Sequence, residues 1–117
     1  MKTLFIINDS PYGTERVFNA LRLAHALLKH DATAEVCIFL MADAVVSARK
    51  GQRTPDGYYN VERMLKRVRA GKGRILLCGT CMDARGMIDD DVMDGASRST
   101  MDELAEATTA ADKVLVF

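Results

Sequence analysis

One stretch decides the fold of this chain: Arg74-Ile75-Leu76-Leu77-Cys78-Gly79-Thr80-Cys81. Its apolar run from Ile75 to Leu77 has the length and composition of a short buried strand. The pair Gly79-Thr80 then predicts a turn into a helix. We therefore expect both thiols where a parallel sheet passes its chain to a helix N-terminus, which is the edge at which open α/β sheets bind ligands.

The segments on either side of this stretch alternate between strand and helix patterns. Apolar runs predict further strands at residues 2–8, 33–40 and 112–117. Apolar residues at helical spacing predict helices at residues 13–29, 43–49, 60–70 and 99–110, with Asn60 capping the third. Residues 50–59 form the longest predicted loop, and a short strand is expected near Val92-Met93. This alternation predicts a parallel sheet with helices on both faces, in one domain spanning residues 1–117.

The composition is that of an ordinary globular chain. Of its 117 residues, 49% are hydrophobic and 27% are charged, and 16 basic residues balance 16 acidic ones. This balance removes the broad positive field that binding to nucleic acid or an anionic membrane requires, so we expect a small-molecule or protein partner. The apolar run from Leu4 to Ile7 is too short for a signal peptide or membrane span, which predicts a cytosolic protein.

The three cysteines favour sulfur chemistry over a structural disulfide framework. Their odd number and the expected reducing compartment argue for a catalytic or redox role of the close pair Cys78 and Cys81. Cys37 lies inside an apolar strand pattern, where cysteine usually acts as a small hydrophobic residue. A thioredoxin-like site places a cis-proline from a later strand opposite its cysteine pair. Such a site is disfavoured here, because Pro11 and Pro55, the only prolines, both precede the pair.

The sequence predicts neither a metal site nor a cofactor. A closed zinc site needs four ligands, and Cys37, His25 and His30 do not have the spacing to complete one. Both histidines are expected on the solvated surface. Residues 8–15 lack the glycine pattern that cradles phosphate, so nucleotide and flavin binding have no support.

Several motifs along the chain follow one known pattern. They are NDSPYGTER (8–16), FNALRLA (18–24), FLMADAV (39–45), GQ (51–52), GYYN (57–60), CGTCMDARG (78–86) and ADKVL (111–115). On these residues the chain resembles the DsrE/DsrF-like family, particularly its YchN-like branch, nearly from end to end. The resemblance implies a three-layer α/β/α domain of flavodoxin-like architecture, with a five-stranded, mainly parallel sheet, assembled as a homohexamer.

The resemblance also implies a function. Studied relatives of this family are sulfur-relay proteins, which carry sulfur as a cysteine persulfide between donor and acceptor proteins. In those relatives the carrier cysteine ends the third strand and precedes an Arg-Gly pair by seven residues, the spacing from Cys78 to Arg85-Gly86. Cys78 is therefore the expected carrier. Cys81 becomes a resolving or second thiol, a departure from the single-cysteine pattern.

The leading hypothesis is a persulfide carrier in which Cys78 attacks a donor persulfide. We expect Arg85 and the helix N-terminus to stabilise the thiolate and lower its pKa. The side chains expected to shape the pocket are Asp9, Tyr12, Glu15, Tyr58 and Asp83. Two alternatives remain open: a reversible disulfide switch between Cys78 and Cys81, and a non-enzymatic hexameric binding module whose cysteines only pack.

Overall fold

The protein is a single parallel sheet flanked by helices. The computed structural model describes residues 1–55 and 59–117. In chain order the strands are β1 (Lys2–Ile7), β2 (Glu35–Leu40), β3 (Arg74–Cys78), β4 (Ala96–Ser99) and β5 (Lys113–Val116). Their order across the sheet is β4-β3-β2-β1-β5, and each pairing between neighbours is parallel. The predicted α/β class with a five-stranded parallel sheet is confirmed.

Within the described residues, four α-helices and one long 3-10 helix connect the strands. The α-helices are α1 (Arg16–His30), α2 (Val61–Ala70), α3 (Gly79–Ala84) and α4 (Met101–Ala110), and the 3-10 helix is Ala42–Ala48. Helices α1 and α2 pack against each other, and α4 contacts β1. The chain crosses the sheet from β1 to β4 and then returns to β5, on the other side of β1. Right-handed crossovers therefore place α4 on the face of the sheet opposite to α1 and α2.

The core lies along the three central strands. Phe5, Phe39, Ile38 and Leu77 are fully buried there, each contributing about 1.5–3 kcal/mol to the free energy of folding. Because a parallel strand in the middle of a sheet is covered on both faces, its sequence is a continuous apolar run. This is why the runs in β1, β2 and β3 predicted these strands so well.

The prediction at residues 86–99 was wrong in its details. The fourth strand is Ala96–Ser99, whereas Val92 makes only an isolated antiparallel bridge with Arg49. Ser99 belongs to this strand and does not start the last helix. That helix begins at Met101, and the Thr100 side chain caps it by accepting a hydrogen bond from the Glu103 N–H at 3.2 Å.

The helix predicted at residues 43–49 is present as a 3-10 helix. Residues Ala42–Ala48 wind as a 3-10 helix, and Ala42 has a left-handed φ of 50°. The cap of α2 was predicted correctly, since the Asn60 side chain accepts from the Arg63 N–H at 3.0 Å. Among the described residues, no helix combines the length and apolar character needed to cross a membrane.

Candidate functional site at the end of strand β3

The two predicted thiols lie together at the carboxyl edge of the sheet. Cys78 is the last residue of β3 and directly precedes α3, so one peptide unit joins the strand to the helix. Cys78 is 8% exposed, and Cys81, in the first turn of α3, is half-buried. The structure thus places one thiol at the strand end and the second one beside it, closer to solvent.

Each sulfur accepts a backbone hydrogen bond. The Cys81 N–H donates to Cys78 Sγ at 3.4 Å, so Cys78 acts as the N-cap of α3. The N–H of Ala42, the first residue of the 3-10 helix, donates to Cys81 Sγ at 3.2 Å. Helix α3 has only six residues, so its dipole is small and the local N–H groups are the relevant donors.

The pKa of Cys81 is raised, contrary to the expectation for a thiol at this edge. Burial is the largest cause, and the neighbouring Cys78 side chain acts in the same direction. The Ala42 N–H and the Arg85 charge oppose the shift without reversing it. At neutral pH, Cys81 is therefore a protonated thiol.

Arg85, the predicted anion-stabilising cation, is committed to other partners. Its Nε and Nη2 atoms bind Oδ1 of Asp43 at 2.9 and 2.8 Å. Its Nη1 atom donates to the Cys81 carbonyl oxygen at 3.0 Å. Arg85 therefore ties α3 to the 3-10 helix through its ion pair with the Asp43 carboxylate.

A second arginine, missed in the sequence, lies on the other side of α3. Arg98 donates from Nη1 and Nη2 to the two carboxylate oxygens of Asp83, both at 2.8 Å. This pairing lowers the pKa of Asp83. Arg98 is on β4, opposite Leu77 in the β3–β4 register. Only knowledge of that register could have revealed it, because Ala96–Ser99 has no strand-like pattern of its own.

Ser99 is another residue that the sequence did not indicate. It is the register partner of Cys78, and it is 3% exposed. Within residues 1–55 and 59–117, its hydroxyl has no hydrogen-bond partner. Register partners on paired parallel strands project to the same face of the sheet, so the unpaired Ser99 hydroxyl lies next to the end of β3.

The predicted pocket residues of the first loop bind the segment before α2. The Tyr12 hydroxyl donates to Gln52 Oε1 at 2.5 Å and accepts from the Val61 N–H at 3.3 Å. Glu15 accepts from the Tyr59 hydroxyl at 3.2 Å. These contacts fasten the first loop to the chain preceding α2.

The remaining pocket predictions have different outcomes. Asp9 accepts from Thr14 Oγ1 at 3.3 Å and lies 3.6 Å from Arg16 Nε, within its own loop. Tyr58 lies outside the described residues. Of the pocket set, Asp83 is the residue that the structure brings into the same helix as Cys81.

The other cysteine and the two histidines lie away from this pair. Cys37 is half-buried in β2, packs against the core, and has a pKa raised by burial. His25 is not the solvated side chain that was predicted, since it is half-buried with Nε2 at 3.2 Å from the Met64 carbonyl oxygen. Over the described part of the chain, no group of three or more His, Cys, Asp or Glu side chains is arranged to bind a metal ion.

Comparison with known proteins gives the relationships of the chain. The sequence pattern of the DsrE/DsrF-like family matches residues 1–117. Protein YchN of Escherichia coli K12 is 41% identical over 99% of this chain and 98% of its own length. Protein MJ0989 of Methanocaldococcus jannaschii is 36% identical over the full length of both chains.

A more distant relative has a functional name. Sulfurtransferase TusD of Salmonella arizonae is 26% identical over the full length of both chains. Among solved structures, the crystal structure of YchN from E. coli superimposes with a TM-score of 0.94, covering 100% of this chain and 99% of the other. The chain is therefore a member of the DsrE/DsrF-like family, with YchN among its relatives.

Proposed function

We propose that this protein is a sulfur-relay protein that carries sulfur as a persulfide on Cys78. One observation carries the proposal: β3 ends in a thiol whose sulfur accepts a backbone N–H, with a second thiol one helical turn away. The distant similarity to a protein named sulfurtransferase supports the same class of chemistry.

The transfer needs no external oxidant or reductant. The Cys78 thiolate attacks the outer sulfur of a donor persulfide, a new S–S bond forms, and the donor S–S bond breaks. The bonding electron pair leaves with the donor as its thiolate. An acceptor thiolate then attacks the outer sulfur on Cys78, which restores the Cys78 thiolate and gives the acceptor persulfide.

The geometry favours Cys78 over Cys81 as the carrier. Burial raises the pKa of Cys81 and so disfavours its thiolate, the nucleophilic form. Cys78 receives the Cys81 N–H and has the unused Ser99 hydroxyl as its register neighbour. Because Cys78 is only slightly exposed, a donor group must be slender to reach its sulfur.

Mass spectrometry after incubation with a persulfide donor tests this assignment. We expect the mass of one sulfur atom to be added to the wild type and to Cys37→Ser, the matched control that removes a half-buried thiol from β2. The Cys78→Ser variant should gain none. An unchanged adduct in Cys78→Ser would show that another thiol is the carrier.

The second candidate is a reversible disulfide between the two thiols. The 3.4 Å contact from the Cys81 N–H to Cys78 Sγ favours it, because it holds the thiols within one turn of helix. With glutathione disulfide as the oxidant, the two thiols lose two electrons and two protons and two glutathione molecules form. Thiol trapping across a series of glutathione ratios should detect the bond, and its absence under oxidising ratios would exclude the switch.

The proposal includes partners and assembly. Donor and acceptor would be other proteins that carry reactive thiols, and the protein itself would form a homohexamer in the cytosol. A packing-only role for both cysteines has less support, because Cys81 is half-buried and lies beside solvent. Sedimentation at several protein concentrations measures the assembly state.

A further inference from the structure

A guanidinium group lies over the junction between Cys78 and α3. Arg98 is the register partner of Leu77 in the pairing of β3 with β4, and the next residue, Ser99, is the register partner of Cys78. Its side chain turns toward α3, and a Cβ atom added to Gly79 would lie 2.8 Å from Arg98 Nε and 2.9 Å from Cζ. Since Gly79 directly follows Cys78, a positive charge lies beside the thiol-bearing strand end.

Asp83 fixes the guanidinium in this position. Two parallel hydrogen bonds of 2.8 Å join Nη1 and Nη2 of Arg98 to the Asp83 carboxylate, a bidentate arrangement that restricts both side chains. Helix α3 thus contributes Gly79, whose lack of a Cβ leaves room for the guanidinium, and one turn later Asp83, whose carboxylate binds it. The Arg98 side chain is 43% exposed, so the pair faces solvent.

We propose that Arg98, held by Asp83 over Gly79, is the cation that stabilises the anionic sulfur of Cys78, first as the thiolate and then as the persulfide. The persulfide part rests on the proposed sulfur-relay function. The thiolate part is independent of any sulfur transfer. The charge of Arg85 acts on the neighbouring Cys81 thiol, whereas Arg98 is the cation assigned to Cys78.

The other charged groups around Arg98 set the size of the effect. Asp83 on α3 and Asp89 after it are carboxylates that partly compensate the Arg98 charge. Together with Cys78 they raise the pKa of Arg98, and Asp83 contributes most. On the far side of α3, Arg85 is offset by Asp43. A partly neutralised, solvent-facing cation should shift the ionisation of a nearby thiol only modestly.

Gly79 is the structural requirement for this contact. Any Cβ at this position would overlap the guanidinium, which is the end of a flexible side chain and would be displaced. Gly79 has no left-handed φ, so alanine fits the backbone and favours the helix. Substituting alanine at this position therefore moves the charge without removing it.

The pH dependence of Cys78 alkylation by iodoacetamide tests the proposal, with fragment-ion mass spectrometry to separate Cys78 from Cys81. For Arg98→Met we expect the midpoint to rise by about half to one pH unit, and the rate at neutral pH to fall roughly threefold to tenfold. The rate at high pH should not change. Arg98→Lys should lie between Arg98→Met and the wild type, and Arg67→Met, which removes an exposed charge from α2, should leave the midpoint unchanged.

A double-mutant cycle with Gly79→Ala gives the decisive comparison. Gly79→Ala should raise the midpoint when Arg98 is present and should have no effect in the Arg98→Met background. An equal shift in both backgrounds would mean that Gly79 acts through α3 alone, and would overturn the proposal. So would an unchanged midpoint in Arg98→Met, or faster alkylation at every pH, which would make Arg98 a steric cover. Because no persulfide is used, these outcomes are separate from those of the sulfur-loading experiment.

Discussion

Gly73 occupies the tightest position in the turn from α2 to β3. A Cβ atom there would lie 2.5 Å from Val68 Cγ1 and 2.9 Å from the Val68 carbonyl oxygen. The carbonyl belongs to the backbone of α2 and accepts the Gly73 N–H at 2.9 Å, so it cannot move away. At Gly71, two residues earlier, the nearest atom is the terminal Cδ1 of Leu28 at 3.1 Å, which can rotate.

Alanine substitution at these two glycines should therefore have unequal effects. We expect Gly73→Ala to lower the free energy of unfolding by about 1–3 kcal/mol, because the added methyl group forces the backbone apart. Gly71→Ala should change it by no more than about 0.5 kcal/mol. Urea denaturation of the two variants and the wild type measures the difference, and equal losses would contradict the steric explanation.

At the residue scale, the sequence predicted the thiols better than their charged neighbours. Cys78 and Cys81 follow an apolar run, so their place at the sheet edge was predictable. Arg85 was predicted from its closeness in sequence, and the structure pairs it with Asp43. Arg98 comes from the neighbouring strand, and such a contact depends on register, which local sequence patterns do not encode.

At the scale of elements, the start of α2 is anchored by a buried carboxylate. Glu62 Oε1 accepts the N–H groups of Gly51 and Gln52 at 3.0 and 2.9 Å, and Oε2 lies 3.2 Å from Lys66 Nζ. The Glu62 side chain is 9% exposed. Its two backbone bonds connect the chain after the 3-10 helix to the first turn of α2.

Removal of this carboxylate should be costly. We expect Glu62→Ala to destabilise the protein by about 1.5–3 kcal/mol, because two backbone N–H groups lose their charged acceptor. Glu62→Gln should cost less, since it retains an oxygen acceptor. Lys66→Ala, which removes only the exposed partner, should cost less than about 1 kcal/mol. Urea denaturation gives these values, and a Lys66→Ala loss as large as that of Glu62→Ala would assign the effect to the ion pair.

The elements predicted most accurately were those buried on both sides. The apolar runs of β1, β2 and β3 have no other stable location in a chain of this size. Strand β4 was missed because it is a four-residue edge strand, Ala-Ser-Arg-Ser, with few apolar side chains. Its position is set by pairing with β3, a tertiary interaction that overrides weak local propensity.

At the scale of the whole molecule, exposed carboxylates make stability depend on pH. The pKa of Asp83 is lowered by its hydrogen bonds to Arg98, and that of Asp31 by hydrogen bonds from the Thr33 hydroxyl and N–H. A carboxylate with a lowered native pKa stabilises the folded state above the unfolded pKa of about 3.9. That stabilisation is lost as the pH falls through the lower, native value.

Acid should therefore weaken the protein through these two groups. We expect the urea midpoint to fall as the pH decreases below about 4. A variant carrying Asp31→Asn and Asp83→Asn should be less stable at neutral pH and should lose less stability over the same acidic interval. Because both groups face solvent, added salt should reduce the difference. An identical acid dependence in the variant and the wild type would assign the loss to other carboxylates.

The parallel pairing of β1 with β5 joins residues that are far apart in sequence, Leu4 with Val114 and Phe5 with Leu115. During synthesis on the ribosome, β1 and β2 emerge early, and one edge of β1 stays open until residues 113–116 leave the exit tunnel. The Phe5 ring stacks on the Phe117 ring, with 6.0 Å between the ring centroids, and lacks this partner until Phe117 has also emerged. A nascent chain therefore presents an apolar strand edge until β5 has been made, the kind of surface that chaperones bind and that seeds aggregation.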